Sequence, residues 1–386
     1  MLTLIISLIF VFAFSGCKKQ EIEEVPGEEL TEEQTEETED TVAEVEESAE
    51  DEAEEITDLE IAGDINMLSG IDISDGINNS RPIAIMVENA PDARPQSGLY
   101  LADVVFEVVD EYGVTRFVVI YSSHDSEIVG PVRSARRYYA EIARCFDPIY
   151  AFFGTYTECY KIIEDMGLDV LSAIGDTSGN SSITGQASSW RDWERSSVQE
   201  HTALMSTVKL KEDAKRVGYS LEGGNSPFRF KLDANESERG SISDINIDFS
   251  TNVYSPSGYN VNFNYDKNEN NYLRYLADAS HKDRESGEQI KAKNVIVMVT
   301  DIEGPIDAAN HMAVRTTGTS DIGKAYFFMD GQVIEGTWER SSIFDPFTYR
   351  DKDGNIILFN RNSIEQSSSV TTWVAMVDGV DKVEYK

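Results

Sequence analysis

The sequence predicts an α+β protein, with an amino-terminal mixed α/β-sheet domain followed by a mainly antiparallel β domain. Helix-length patterns fall between residues 135 and 217 and not later. Short apolar runs of strand length recur over residues 83–153. After residue 240 the pattern turns to period-2 alternation, with Asp330-Gly331 as a hairpin signal. At 386 residues the chain has room for two or three domains.

Order is expected from about Arg81, after a polar leading loop over 61–80. Residues 83–87, 104–109, 115–121 and 149–153 read as strands. The second and third flank Glu111-Tyr112-Gly113 and are expected to form a hairpin. Gly130-Pro131 then breaks the chain, and Ser134 is placed to N-cap a helix over 135–146. Further helices are expected over 156–166, ended by Gly167, and 202–217, ended by Gly218. Residues 178–189, rich in Gly, Ser and Thr, read as a mobile loop. These elements make a first domain over 81–220. Residues 221–240 read as a linker with one short strand. The β-rich domain, 241–386, holds strands at 261–265, 272–276, 295–299, 325–329, 333–338 and 356–359, the last after a second turn at Asp353-Gly354.

Charge divides the chain further. The formal net charge is −37, from 70 acidic and 33 basic side chains, which argues against a nucleic-acid binder. Residues 21–60 hold 21 Asp or Glu and no Lys or Arg. Such a segment cannot bury a core against its own repulsion, so 18–80 is expected to be an acidic, disordered tether. A flexible coil of about 60 residues averages roughly 40 Å end to end.

Residues 1–14, MLTLIISLIFVFAF, are almost wholly apolar. A helix of that length rises about 21 Å, short of a hydrocarbon core of about 30 Å, so it suits a signal peptide better than a membrane span. Ser15-Gly16-Cys17 follows, and residues 1–17 resemble a bacterial lipoprotein signal with its lipobox. That resemblance implies that Cys17 is diacylated and becomes the first residue of an extracytoplasmic protein anchored in the cell membrane, two chains giving stable attachment. Three cysteines exclude a disulfide scaffold, and Cys145 and Cys159 are expected to be buried thiols.

The densest polar grouping is Glu88-Asn89, Arg94-Pro95-Gln96-Ser97-Gly98, Asp103, Glu107, Glu111, Gly113, Thr115-Arg116 and Gly130-Pro131-Val132-Arg133-Ser134-Ala135-Arg136. This stretch resembles the YerB-like bacterial lipoproteins, a two-domain family of unknown function. The likeness continues through Trp190-Arg191-Asp192, His201, Gly287-Glu288, Ala292-Lys293-Asn294-Val295 and 331–338. It implies an extracytoplasmic lipoprotein and no established activity.

The chemistry must therefore come from the residues. Arg136 and Arg137 fall in the first turn of the expected helix, where cations oppose the helix dipole. Free backbone N–H groups at the same end form an anion site, so the arginines point to a bound carboxylate or phosphate. The other partner is internal: Glu107, Glu111 or Asp103 would neutralise them. The candidate ligand-binding set is Asn89, Arg94, Gln96, Ser97, Arg116, Arg133, Ser134, Arg136, Asp192 and His201, around one cleft shared with Glu107 and Glu111. On a straight strand those two glutamates stand roughly 13 Å apart. That exceeds the spacing of about 5–9.5 Å between glycosidase carboxylates. One acid beside arginines still suits acid/base work of the lytic transglycosylase kind, with Glu111 better placed than Glu107.

No cofactor and no metal are expected. The histidines at 124, 201, 281 and 311 lack ligand spacing, and neither a nucleophile elbow nor a P-loop occurs. Trp338 reads either as a sugar-stacking ring or as core. Three functions stay open: a protein that binds an anionic envelope ligand such as a peptidoglycan fragment, a peptidoglycan-cleaving enzyme, and a scaffold for other envelope proteins through its edge strands.

Overall fold

The computed structural model describes residues 60–386, apart from 62, 319–322 and 365–369. The expected signal peptide over 1–17, with Cys17, and the acidic stretch 21–59 lie outside the described residues.

The first half runs β1 (Ile83–Glu88), β2 (Val104–Val109), β3 (Thr115–Tyr121), α1 (Arg137–Arg144), β4 (Ile149–Phe152), α2 (Thr157–Asp165), β5 (Asp169–Ser172), α3 (Thr207–Val217) and β6 (Arg229–Lys231). The second half is built from β7 (Asp244–Asp248), β8 (Asn260–Asp266), β9 (Asn271–Leu276), β10 (Lys291–Val299), β11 (Lys324–Met329), β12 (Gln332–Glu339), β13 (Thr348–Asp351), β14 (Leu358–Asn360), β15 (Val370–Val377) and β16 (Val383–Tyr385). The fold class is the expected one: a mixed sheet with helices, then strands that are mostly antiparallel.

Strands β1, β2 and β3 are buried at every position because both faces of their sheet are covered. On one face Ala84, Met86, Phe106 and Val118 pack with Tyr139 and Ile142 of α1 and Ile163 of α2. On the other, Ile83, Ile85, Phe117 and Val119 pack with Leu210 and Ala214 of α3. Strand alternation decides which side chain goes to which layer.

The halves share one sheet of fifteen strands among the described residues. Its seam is β15, which lies parallel to β2 on one side and to β10 on the other. No strand was expected at 370–377. Asp330 and Gly331 both have positive φ, 54° and 65°, which supplies the tight turn between β11 and β12 that the sequence signals.

Several local expectations are corrected. The chain is ordered well before Arg81: Leu68 and Ile71 are buried, and Asn66 donates to Ser122 Oγ at 3.0 Å. Ser134 is not a helix cap. The residue before α1 is Arg136, in extended conformation and without a side-chain capping bond, while Ser134 Oγ turns to Phe153 O. Helix α3 begins at Thr207 rather than 202, because Ala203–Leu204 pairs with Trp190–Arg191 and Ser206 takes the cap. Trp338 is core: it is fully buried and its Nε1 donates to Val299 O at 2.8 Å. Cys145 and Cys159 are both buried thiols, as expected.

Candidate functional site

The motif residues divide among three constellations. The first is a closed ring of hydrogen bonds across the two halves. Arg274 Nη2 on β9 donates to Glu107 Oε2 on β2 at 2.7 Å, and neither side chain is exposed. Arg274 Nη1 donates to His281 Nδ1, which assigns the imidazole proton to Nε2 and directs it to Gln96 Oε1 at 2.8 Å. Gln96 Nε2 donates to Asn89 Oδ1 at 2.9 Å. Asn89 Nδ2 returns to Glu107 Oε1 at 3.3 Å and to Thr115 Oγ1 at 2.7 Å. Arg94 joins through Asn89 Oδ1 at 3.1 Å and Gly258 O at 2.7 Å, stacked on Tyr259. Burial lowers its guanidinium to about 10, since its hydrogen-bond acceptors are neutral. The Arg274 guanidinium lies 4.3 Å from the centre of the Trp373 ring. Asn89, Arg94, Gln96 and Glu107 thus hold the halves together.

The second constellation gathers around the buried Glu88, Ser97 and His201. Glu88 accepts a bond from His201 at 2.9 Å and pairs with Arg133, which also pairs with Glu200. Ser97 Oγ donates to Glu285 at 2.7 Å and accepts from Arg195 at 2.8 Å. Asp192 Oδ1 accepts the N–H groups of Glu194 and Arg195, so it shapes its own turn.

The third lies on the opposite face of β2–β3. Arg116 Nη1 is 2.6 Å from Asp110 Oδ2 and its Nη2 is 3.2 Å from Glu111 Oε2. Arg136 Nε donates to Glu111 Oε1, and Tyr138 hydroxyl donates to Asp110 Oδ1 at 2.7 Å. The expected single cleft is therefore divided. Glu107 projects among Phe117 and Trp373, whereas Arg116 shares the face of Val118, Ile120 and Tyr138. The turn at Glu111–Gly113, with Tyr112 at φ 59°, rotates Glu111 out of the strand alternation that would have aligned it with Glu107. Fully buried and ion-paired, Glu107 is not placed to act on a ligand.

Adjacent carboxyls among arginines do not titrate alike. Burial opposes the charge of Asp110, but Arg116 and Arg136 outweigh it and hold the group below the usual carboxylate range. Burial, then the charge of Asp110, pushes Glu111 up. The two carboxyls of the pair are thus shifted in opposite directions by one set of neighbours.

A pocket of about 320 Å³ opens beside this cluster, at the start of α1. Arg136, Arg137 and Arg315 line it together with His311, Tyr156 and an apolar floor that includes Met312 and Val314. His311 stacks on Tyr156 with ring centres 4.4 Å apart. Its Nδ1 meets Asp307 at 2.6 Å, and its Nε2 lies 3.6 Å from Glu111 Oε1. Arg137 Nε donates to Glu141 at 2.7 Å, with its side chain 65% exposed. Among the candidates, Arg136 lines this pocket, and Arg116 and Glu111 stand behind it. The sequence did not single out His311, Asp307 or Arg315. Their signal, Asp307, His311 and Arg315 at four-residue steps, sits about 170 residues beyond the motif it joins.

Among the described residues no helix is long and apolar enough to cross a membrane. No group of three or more His, Cys, Asp or Glu could hold a metal there.

Such a body, two modules fused through one sheet and locked by a ring of motif residues, defines a two-part α+β protein. Family models described as the amino-terminal and carboxy-terminal domains of DUF3048, a protein of unknown function, match residues 68–220 and 249–362. The chain belongs to this family. It is 31% identical over 283 residues to the Bacillus subtilis (strain 168) protein described as "Putative lipoprotein YerB", covering 71% of this chain and 77% of that one. The crystal structure of YerB from Bacillus subtilis superposes with a TM-score of 0.67 at 27% identity, covering 83% of this chain and 99% of that chain.

Proposed function

We propose that the protein is an extracytoplasmic lipoprotein, held at the cell membrane through acylated Cys17, that binds an anionic envelope ligand such as a peptidoglycan fragment in the pocket at the start of α1. The observation that carries the ligand is a pocket lined by Arg136, Arg137, Arg315 and His311, in which three arginines face two carboxylates, Asp307 and Glu141. Arginine forks match carboxylates and phosphates, and a helix start adds N–H groups of the same sign. The lipobox-like Ser15-Gly16-Cys17 and the relative described as a lipoprotein support the anchor.

The test is sedimentation of the full-length protein, in detergent, with purified peptidoglycan. Wild type should co-sediment, and Arg137→Ala/Arg315→Ala should stay in solution while melting like wild type. Equal sedimentation of both proteins, or of neither, contradicts the reading. A second reading, glycan cleavage, is favoured by one observation: the Glu111 carboxyl, raised by burial and Asp110, sits 3.6 Å from pocket-lining His311. Soluble glycan products that disappear in Glu111→Gln would select it over binding alone.

A further inference from the structure

The pocket is not uniformly polar. Three arginines line it against two carboxylates, Asp307 and Glu141, while Met312, Val314 and Ile343 add aliphatic surface and the Tyr156–His311 stack contributes a ring face. Its volume, about 320 Å³, lies near the lower end of small-molecule sites, roughly 300–1,000 Å³. A chain end fits such a space; a running glycan strand does not. Sugar hydroxyls set against Met312 and Val314 would lose hydrogen bonds to water without replacement. An inorganic phosphate would gain nothing from that wall. Arg137 donates to Glu141 through Nε while its side chain is 65% exposed, so its guanidinium can be reached from solvent, and a guanidinium grips a carboxylate with two parallel bonds.

We infer that the occupant is the carboxy terminus of a short peptide bearing a small apolar side chain, its carboxylate on Arg137 and its side chain on Met312 and Val314. The inference rests on the proposed function and narrows it: within peptidoglycan, the stem peptide rather than the glycan enters the pocket.

Calorimetric titration of the full-length protein in detergent tests this with three probes. They are a pentapeptide ending in D-Ala-D-Ala carboxylate, the same peptide as its carboxamide, and glycan strands stripped of peptide. The acid should bind saturably and the amide at least tenfold more weakly. Arg137→Ala should weaken the acid by a similar factor and leave the amide unchanged, with an unaltered melting curve. Equal binding of acid and amide overturns the inference. So does binding of stripped glycan without the peptide, although the broader proposal of an anionic wall ligand then survives. Binding of none of the three overturns both.

Discussion

Arg274 Nη2 and Glu107 Oε2 lie 2.7 Å apart, both at zero exposure, and join β9 of the second half to β2 of the first. Burial pulls the guanidinium down and Glu107 partly offsets that. A buried pair of this kind is strongly coupled: losing one partner strands the other charge, at a cost of about 3–5 kcal/mol. Arg274→Met should therefore destabilise by that amount in denaturant titrations. The double change Glu107→Gln/Arg274→Met should cost clearly less than the two single changes added together. Additive single costs would show that the ring does not act as a unit.

The neighbouring carboxyls Asp110 and Glu111 should respond unequally to neutral substitution. Asp110, itself fully buried, answers the buried Arg116 and the half-buried Arg136, so Asp110→Asn is expected to cost about 3 kcal/mol or more. Burial and the charge of Asp110 raise Glu111 and so weaken its ion pairs, and Glu111→Gln should cost less than Asp110→Asn, about 1–2 kcal/mol. A raised folded value stabilises most below the unfolded value, about 4.3, and that contribution fades as pH rises through the folded one. Wild type should thus gain on Glu111→Gln as pH falls from 7 toward 4. Urea titrations of both variants across that range check the order and the trend, and equal sensitivity of the two sites contradicts it.

His281 supplies a second pH dependence. Burial, then Arg274 and Arg94, hold its imidazole well below the ordinary 6.5, so it stays neutral in the ring. The unfolded chain takes up that proton as pH drops through about 6.5, and the folded chain does not. The unfolded state then binds more protons, and stability falls with falling pH. His281→Gln keeps a donor and an acceptor without the titration. It should flatten the loss of stability between pH 7 and 5, as read from urea midpoints. Parallel profiles for the two proteins would remove His281 from the account.

Local pattern carried much of this fold. Strands β2 and β3 were legible because a short turn joins two apolar runs. Asp330-Gly331 was legible because only a few residue types accept two positive φ angles in succession. Strand β15 was not, since its partners β2 and β10 are far away in sequence and no turn announces parallel pairing. The third constellation was partly legible: Arg116, Arg136 and Glu111 do cluster. Their separation from Glu107 was not, because a straight strand puts residues i and i+4 on one face and only the turn at Glu111–Gly113 breaks that rule. Asn89, Arg94 and Gln96 looked like a ligand set, but their partners Gly258, Arg274 and His281 come from the other half of the chain.

The anchor has a direct chemical test. With Cys17→Ala the protein should remain unprocessed or be released, and mass spectrometry should find no lipid on the mature form. A lipid-modified mature protein in that variant contradicts anchoring through Cys17.

Hydrogen exchange of the full-length protein, with and without a saturating soluble peptidoglycan fragment, tests the pocket most directly. The account predicts added protection over residues 136–141 at the start of α1 and over 306–317, the two segments that carry the arginines and His311. Protection confined to other surfaces, or none at saturation, would contradict it.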